Sequence, residues 1–371
     1  MEEIKTMQTT VAHSYSRWSG LFAVCLLALL ASQSVRASHI TVDIHSDVGL
    51  FYQELAPFGE WISTPQYGHI WIPNSTPLGW RPYTLGHWSY NERVGWIWIS
   101  YWQWGWATFH YGRWINHPDY GWAWIPGTDW APAWVAWRSG NGWIGWAPLP
   151  PEAAWEDNKG LTGSMEKIEK HIPFHAWSFV PQDAIFSREL HTREIIMSAR
   201  NVTVLPLTKP VTRYEAVNHQ VINHGADIEQ LRMTAGLATK PVRLVDVTYP
   251  AALEATKVGK DELALFRPTM DLTSEIEPPK PGAERYPGQT AKQMQNRHRL
   301  TLKAMQLYHE AERKAMEQLH ARQLSQPPAQ PDIEQQQSKE REAVTELHRW
   351  EQHVLDRRLQ LERSQVESRS K

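Results

Sequence analysis

Tyr67-Gly68-His69-Ile70-Trp71-Ile72-Pro73 returns as Val94-Gly95-Trp96-Ile97-Trp98-Ile99 and again as Tyr120-Gly121-Trp122-Ala123-Trp124-Ile125-Pro126. Two flanking signals keep the same register. Gly59-Glu60-Trp61, Gly86-His87-Trp88 and Gly112-Arg113-Trp114 recur 27 and then 26 residues apart, and Gly79-Trp80-Arg81-Pro82-Tyr83 is echoed by Gly105-Trp106-Ala107-Thr108-Phe109 and by Asp129-Trp130-Ala131-Pro132. A truncated fourth copy holds Trp137 and then Trp143-Ile144-Gly145-Trp146-Ala147-Pro148. Three anchors in one register mark a repeat architecture rather than a biased composition. Each copy reads as a hairpin: a short aromatic strand, a loop such as Asn116-His117-Pro118-Asp119-Tyr120-Gly121, and a strand whose alternating rings share one face. Pro and Gly every few residues prohibit long helices. The expected product over 51–155 is a mainly β, Trp-rich repeat domain, an antiparallel meander of roughly ten short strands closed or curled into a small barrel or solenoid. Pro73, Pro82, Pro126, Pro132 and Pro148 then fall at strand ends or edges, where a missing N–H is tolerated.

The repeats account for most of an unusual composition, since 18 of the 21 tryptophans lie between Trp61 and Trp155. Over 371 residues the net charge is −2 and the mean hydropathy −0.52, which excludes a polytopic membrane protein and gives no global electrostatic reason to bind nucleic acid. The N-terminus reads as a secretory signal over 1–37. Lys5, His13 and Arg17 precede an apolar run from Leu21 to Ala31, and Val35 and Ala37 suit cleavage after Ala37. That run is too short to span a bilayer, which needs roughly 20 residues, so the mature chain is expected to carry no transmembrane anchor. The single cysteine, Cys25, lies inside the run. Its removal would leave no disulfide, thiolate metal site or cysteine nucleophile. The expected location is the periplasm or cell envelope.

Lysine, absent from residues 6–158, reappears at Lys159, Lys167 and Lys170 and marks a boundary. Residues 160–275 read as a small α/β region. Asn201-Val202-Thr203-Val204-Leu205, Val242–Val247 and Glu262–Phe266 suggest strands, and Asp227 caps a helix that runs to Ala235 and stops at Gly236. A Pro-rich linker follows over 276–290. The remainder, 291–371, reads as a helical tail. Helices over 291–324 and 333–368 carry thin apolar stripes, Leu300, Ala304, Leu307, Ala311, Ala315 and Leu319 in the first and Leu347, Trp350, Val354 and Leu361 in the second. The spacing suits a coiled-coil-like hairpin or a pair of arms for self-association.

Several stretches carry a family resemblance: the first repeat, Trp80-Arg81-Pro82-Tyr83, the run from Trp106 to Trp114, the run from Trp130 to Arg138, and the ending Gly145-Trp146-Ala147-Pro148-Leu149-Pro150. Over about residues 50 to 151 the chain resembles the exported Trp- and Pro-rich bacterial proteins grouped as domain of unknown function 6600. The resemblance implies an envelope location and a repeat domain, and it brings no catalytic residues. Family members often carry a FecR-like domain ahead of the repeats, and here only about a dozen residues separate Ala37 from Phe51.

No nucleotide-binding or hydrolase fingerprint appears. His309-Glu310 opens like a zincin motif, but Arg313 stands where the second histidine is needed. The expectation is therefore no cofactor, no metal and no catalytic residue. Aromatic surface remains as the property that can carry function. Trp102-Gln103-Trp104-Gly105-Trp106 is the strongest ligand-binding candidate, because three alternating rings would share a face, and Trp122, Trp124 and Arg113 extend the set. Such a row can stack on sugar rings or on extended peptides. The sequence thus reads as a non-catalytic binding or scaffolding platform for an envelope glycan or protein. Two alternatives remain: a glycan-active hydrolase using array carboxylates such as Glu92 or Asp119, and a purely structural envelope protein. Nucleic acid is not an expected partner, because the array has no basic track to neutralise phosphates.

Overall fold

The chain enters through β1 (His45–Asp47) and α1 (Gly49–Leu55) and then folds four times on one plan. In the computed structural model, β2 (Gly59–Thr64) and β3 (Gly68–Pro73) put Trp61 opposite Trp71. β4 (Gly86–Asn91) and β5 (Gly95–Ser100) put Trp88 opposite Trp98. After the one-turn helix α2 (Gly105–Thr108), β6 (Arg113–His117) and β7 (Gly121–Ile125) put Trp114 opposite Trp124. β8 (Val135–Gly140) and β9 (Trp143–Pro148) put Trp137 opposite Trp146. All eight rings are buried. The structure describes residues 45–157, 159–236, 241–250, 253, 261–271, 277–278, 290–325 and 332–369. The expected leader over 1–37 and nearly all of the expected linker over 276–290 lie outside them.

The turns explain the recurring glycines. In the first three hairpins three residues separate the paired ends, and Gly68, Gly95 and Gly121 open the return strand at φ +65°, +75° and +70°. A left-handed residue after a three-residue loop is the bulged hairpin geometry that glycine supplies. The fourth hairpin closes instead through Asn141-Gly142, both at positive φ, the two-residue turn whose twist matches the strands.

The strands do not close into a barrel. The first and third hairpins join through Trp71 and Trp124 into one four-stranded sheet, ordered β2-β3-β7-β6. The other two are each completed by later chain. β10 (Trp155–Glu156) and β11 (Gly160–Leu161) form a small ladder of their own, and α3 (Met165–Glu169) follows. β12 (Ser178–Pro181) then adds to β9, and β13 (Lys209–Pro210) adds to β8. The hairpin of β14 (Tyr214–Val217) and β15 (Gln220–Asn223) extends β5 by a parallel contact of Asn223 with Gly95. The region beyond 160 therefore supplies edges that the repeats lack.

Eight strands form in the array where roughly ten short ones were expected. The third repeat element makes no strand: Trp80, Trp106 and Trp130 sit on connectors that cross the core. Tyr83 and Phe109, on two of these connectors, meet at 4.8 Å. Tyr83 also touches Trp88 and Trp98, while Phe109 touches Trp104 and Trp114. The indoles fasten connectors to sheets. Trp71 Nε1 donates to Leu55 O at 3.1 Å, Trp124 Nε1 to Tyr111 O at 2.8 Å and Trp146 Nε1 to Tyr83 O at 2.8 Å.

Asn201–Val204, expected as a strand, is the short helix α4. Its Asn201 side chain donates to Phe174 O and Trp177 O and fixes a bend that an extended chain could not make. The helix α5 (Ile228–Ala235) forms as expected, with Asp227 accepting from the amides of Glu229 and Gln230 and Gly236 left-handed at its end. β16 (Arg243–Asp246) and β17 (Glu262–Leu265) form where strands were expected, and β18 (Thr269–Asp271) returns to β1.

The tail forms two long helices, α6 (Ala291–Ser325) and α7 (Ile333–Arg369). They run antiparallel, because His298, His309 and His320 bond Glu362, Glu351 and Glu340 in reverse order. The expected stripe on α6 is not the buried one. Leu300 and Leu307 are each 57% exposed, whereas Met294, His298, Met305, His309, Met316 and His320 face inward. On α7 Leu347 and Val354 are buried as expected. α7 also reaches the β body. Arg357 donates to Asp119 at 2.8 Å, Arg358 to Pro73 O at 3.2 Å, and the Trp350 ring stacks on His175 at 4.9 Å.

Each buried indole removes about 150–250 Å² from water, so the cross-strand pairs are expected to dominate the array's stability. Trp98→Ala should cost about 3–5 kcal/mol in urea unfolding. Trp143→Ala, at a half-buried ring in the same array, should cost clearly less. Equal costs would contradict a core organised on the pairs.

Candidate functional site

A cavity of about 450 Å³ opens beside the second hairpin, within the size range of small-ligand sites. The end of β5 and the turn after it form one wall, with Ser100, Tyr101, Trp102, Gln103 and Trp106. Leu253, Leu265 and Phe266 form the other. The turn is built locally. Trp102 N donates to Ser100 Oγ at 3.0 Å and Gly105 N to Trp102 O at 2.9 Å. Gly105 lies so close to Ser100 that a Cβ there would sit 2.4 Å from the Ser100 Cβ. This reversal is why Trp102, Trp104 and Trp106 do not project from one strand face.

The three rings separate in consequence. Trp102 is half-buried and stacks on Trp104 at 5.0 Å. Trp104 is buried against Trp71, Trp80 and Trp114. Trp106 is buried between Phe51 and Phe266. Of these three, Trp102 and Trp106 line the cavity and Trp104 does not, and Tyr101, not singled out from the sequence, stands beside them 46% exposed. Trp124 belongs to the core, opposite Trp114. Trp122 is half-buried in a second cavity of about 260 Å³ between the β body and the helices, shared with Trp80 and Trp350.

Arg113 is structural. Its guanidinium lies 3.8 Å above the Trp134 ring and donates to Ala153 O and Gly112 O. Burial lowers its pKa to about 10, and the nearby Tyr214, Tyr83 and Asp129 oppose that shift. Of the carboxylates weighed for hydrolysis, Glu92 is exposed at the tip of the second hairpin, and Asp119 is engaged by Arg357.

His110 closes the back of the first cavity. Its ring stacks on Trp130 at 5.5 Å, and its Nδ1 lies 2.9 Å from Ala131 O, so Nδ1 carries the proton and donates to that carbonyl. Burial depresses its pKa to about 4, against the backbone hydrogen bonds. His87, buried and near Arg188, is also lowered to about 4. Both are neutral in the fold and ordinary near 6.5 in the unfolded chain. Between those values only the unfolded state takes up the protons. Their stabilisation is therefore complete above pH 6.5 and is lost as the pH falls toward 4, at about 1.4 kcal/mol per unit for each group. Urea titrations at pH 7 and pH 5 should show this loss. His110→Asn, which keeps a donor for Ala131 O, should reduce the difference by about one proton's worth, and an unchanged difference would contradict the assignment.

A second constellation was missed in the sequence. Reading His309-Glu310 as a failed one-helix motif overlooked partners on the other helix, where His348 and Glu351 meet His309. The available signal was the eleven-residue recurrence of Met294, Met305 and Met316 and of His298, His309 and His320.

No curated protein and no solved structure matches the chain. The hairpins, their cross-strand tryptophans and the first cavity's Tyr101–Trp106 wall all fall within one stretch that a family model does match. Residues 52–153 match the model of a family of unknown function, DUF6600.

Proposed function

We propose that the protein is an exported envelope component that acts by binding rather than by catalysis, with the Trp-rich array as a rigid scaffold and the cavity beside the second hairpin as the contact site for a glycan. The observation that carries this reading is the wall of Tyr101 and Trp102, which offers aromatic surface over the buried Trp106 and beside the hydroxyl of Ser100, the amide of Gln103 and the carboxylate of Glu54. Such a mixture suits a sugar, whose C–H face stacks on a ring while its hydroxyls find polar partners at the edge. Twelve of the eighteen array tryptophans are buried and the other six half-buried. Binding thus falls to a local site rather than to a continuous row of rings. The exposed Leu300 and Leu307 on α6 offer a second surface for a partner protein or another copy of the chain.

Sedimentation with purified peptidoglycan tests the proposal. Tyr101→Ala removes an exposed ring and one hydrogen bond to Arg188 O, and Trp102→Ala removes the half-buried ring. Each is expected to weaken retention about tenfold or more while the fold persists by circular dichroism. Retention unchanged in both variants, or absent in the wild type, would overturn the reading.

A further inference from the structure

The helical hairpin carries a polar ladder at its centre. In α6, Met294, Met305 and Met316 are spaced by eleven residues, as are His298, His309 and His320; in α7, Glu340, Glu351 and Glu362 have the same spacing. Eleven residues make three helical turns, so each set forms one stripe. The stripes meet as three rungs. His298 Nε2 lies 2.8 Å from Glu362 Oε2, His309 Nε2 lies 2.7 Å from Glu351 Oε2, and His320 Nε2 lies 2.8 Å from Glu340 Oε2. In the outer rungs an arginine completes the histidine: Arg363 and Arg341 each donate to the Nδ1 of His298 and His320 at 3.4 Å. One histidine and one glutamate per rung are enough to fix the register.

The middle rung holds twice that number. Three residues beyond His309 stands Glu312, and three residues beyond His348 stands Glu351, so each helix presents a His-x-x-Glu pair. The pairs cross. His309 bonds Glu351, and His348 Nε2 lies 2.9 Å from Glu312 Oε2. The two imidazoles stack at 3.8 Å and 11°. In the rung of His320 the positions equivalent to Glu312 and His348 are Gln323 and Gln337, which bond each other at 3.3 Å; in the rung of His298 they are Thr301 and Leu359. A merely structural rung therefore does without the second charged pair.

We propose that the middle rung is a binding site for one divalent first-row transition-metal ion, held by His309, His348 and Glu351 with Glu312 as the fourth group. One ligand atom from each of the first three lies within 4.8 Å of the others, and all three side chains are buried. Two imidazoles and two carboxylates suit an ion of zinc's class. The ion would offset two carboxylates that now oppose each other. Two cations face the site. Arg81, buried in the β body and bonded to Ser178 and Ser198, offsets part of that charge, and the exposed Arg313 donates to His348 Nδ1 at 3.3 Å. Tyr308 packs against Gly79 on the same side and bonds Glu312. Metal binding through Nε2 moves each imidazole proton to Nδ1, so Arg313 must swing into solvent, and its exposure permits this.

The test is calorimetric titration of the chelator-treated full chain with zinc. The wild type should bind one equivalent. Glu312→Gln with His348→Gln converts the middle rung into the arrangement that Gln323 and Gln337 already hold, so the double variant should fold and bind about 100-fold more weakly or worse. Cobalt gives an independent readout on unaltered protein: a visible absorption band of a tetrahedral nitrogen–oxygen site, displaced by one equivalent of zinc. Loss of that equivalent in the double variant, or the displaced band, supports the site. No binding by the wild type, equal binding by the folded double variant, or cobalt binding without the band would overturn it.

Discussion

The opposed tryptophans of the four hairpins are the groups on which the rest of the structure depends: their rings meet within the second and fourth hairpins, Trp88 with Trp98 at 5.1 Å and Trp137 with Trp146 at 6.1 Å, and between the first and third, Trp61 with Trp124 at 6.2 Å and Trp71 with Trp114 at 6.3 Å. Four small hairpins of five or six residues per strand have little to hold them alone, since an isolated hairpin is marginal in water. An indole opposite an indole gives each one a large apolar face at a fixed place. The pairs then pack on one another, Trp88 on Trp137 at 4.4 Å and Trp71 on the Trp104 connector at 5.1 Å. Edge-on geometries dominate, as the aromatic quadrupole favours. The indole N–H groups add direction, because several bind connector carbonyls and so position the chain between hairpins.

This economy shapes what is left for function. A ring committed to the core cannot also be a contact surface, and the array commits two thirds of its tryptophans outright. The two ligand sites proposed above lie where repeat regularity breaks. One is the turn after β5, where the chain reverses at Gly105 instead of continuing as a strand. The other lies outside the array, in the middle rung of the helical hairpin.

Much of the array was legible in the sequence. The anchors Gly68, Gly95 and Gly121 gave the turns, and the alternating rings gave the return strands. Hairpin order was not legible, because the first hairpin joins the third and skips the second through one pair, Trp71 with Trp124, and nothing local encodes that. The strand expected at Asn201 failed because β-branched residues spoke for extension while the buried Asn201 amide, satisfied by two distant carbonyls, held a bend. Trp102, Trp104 and Trp106 were expected on one face because alternation alone cannot see a turn. In the helical tail the leucine spacing falls on an exposed stripe. The buried stripe is made of methionine and histidine at a period of eleven, and its logic shows only when the second helix supplies the glutamates.

Hydrogen exchange of the native chain measures the central claim directly. If the paired tryptophans bind the hairpins into one core, the amides of Trp71, Trp98, Trp124 and Trp146 should exchange together and last, at the free energy of global unfolding. Independent exchange of the four hairpins, or faster exchange there than in α6 and α7, would contradict the account.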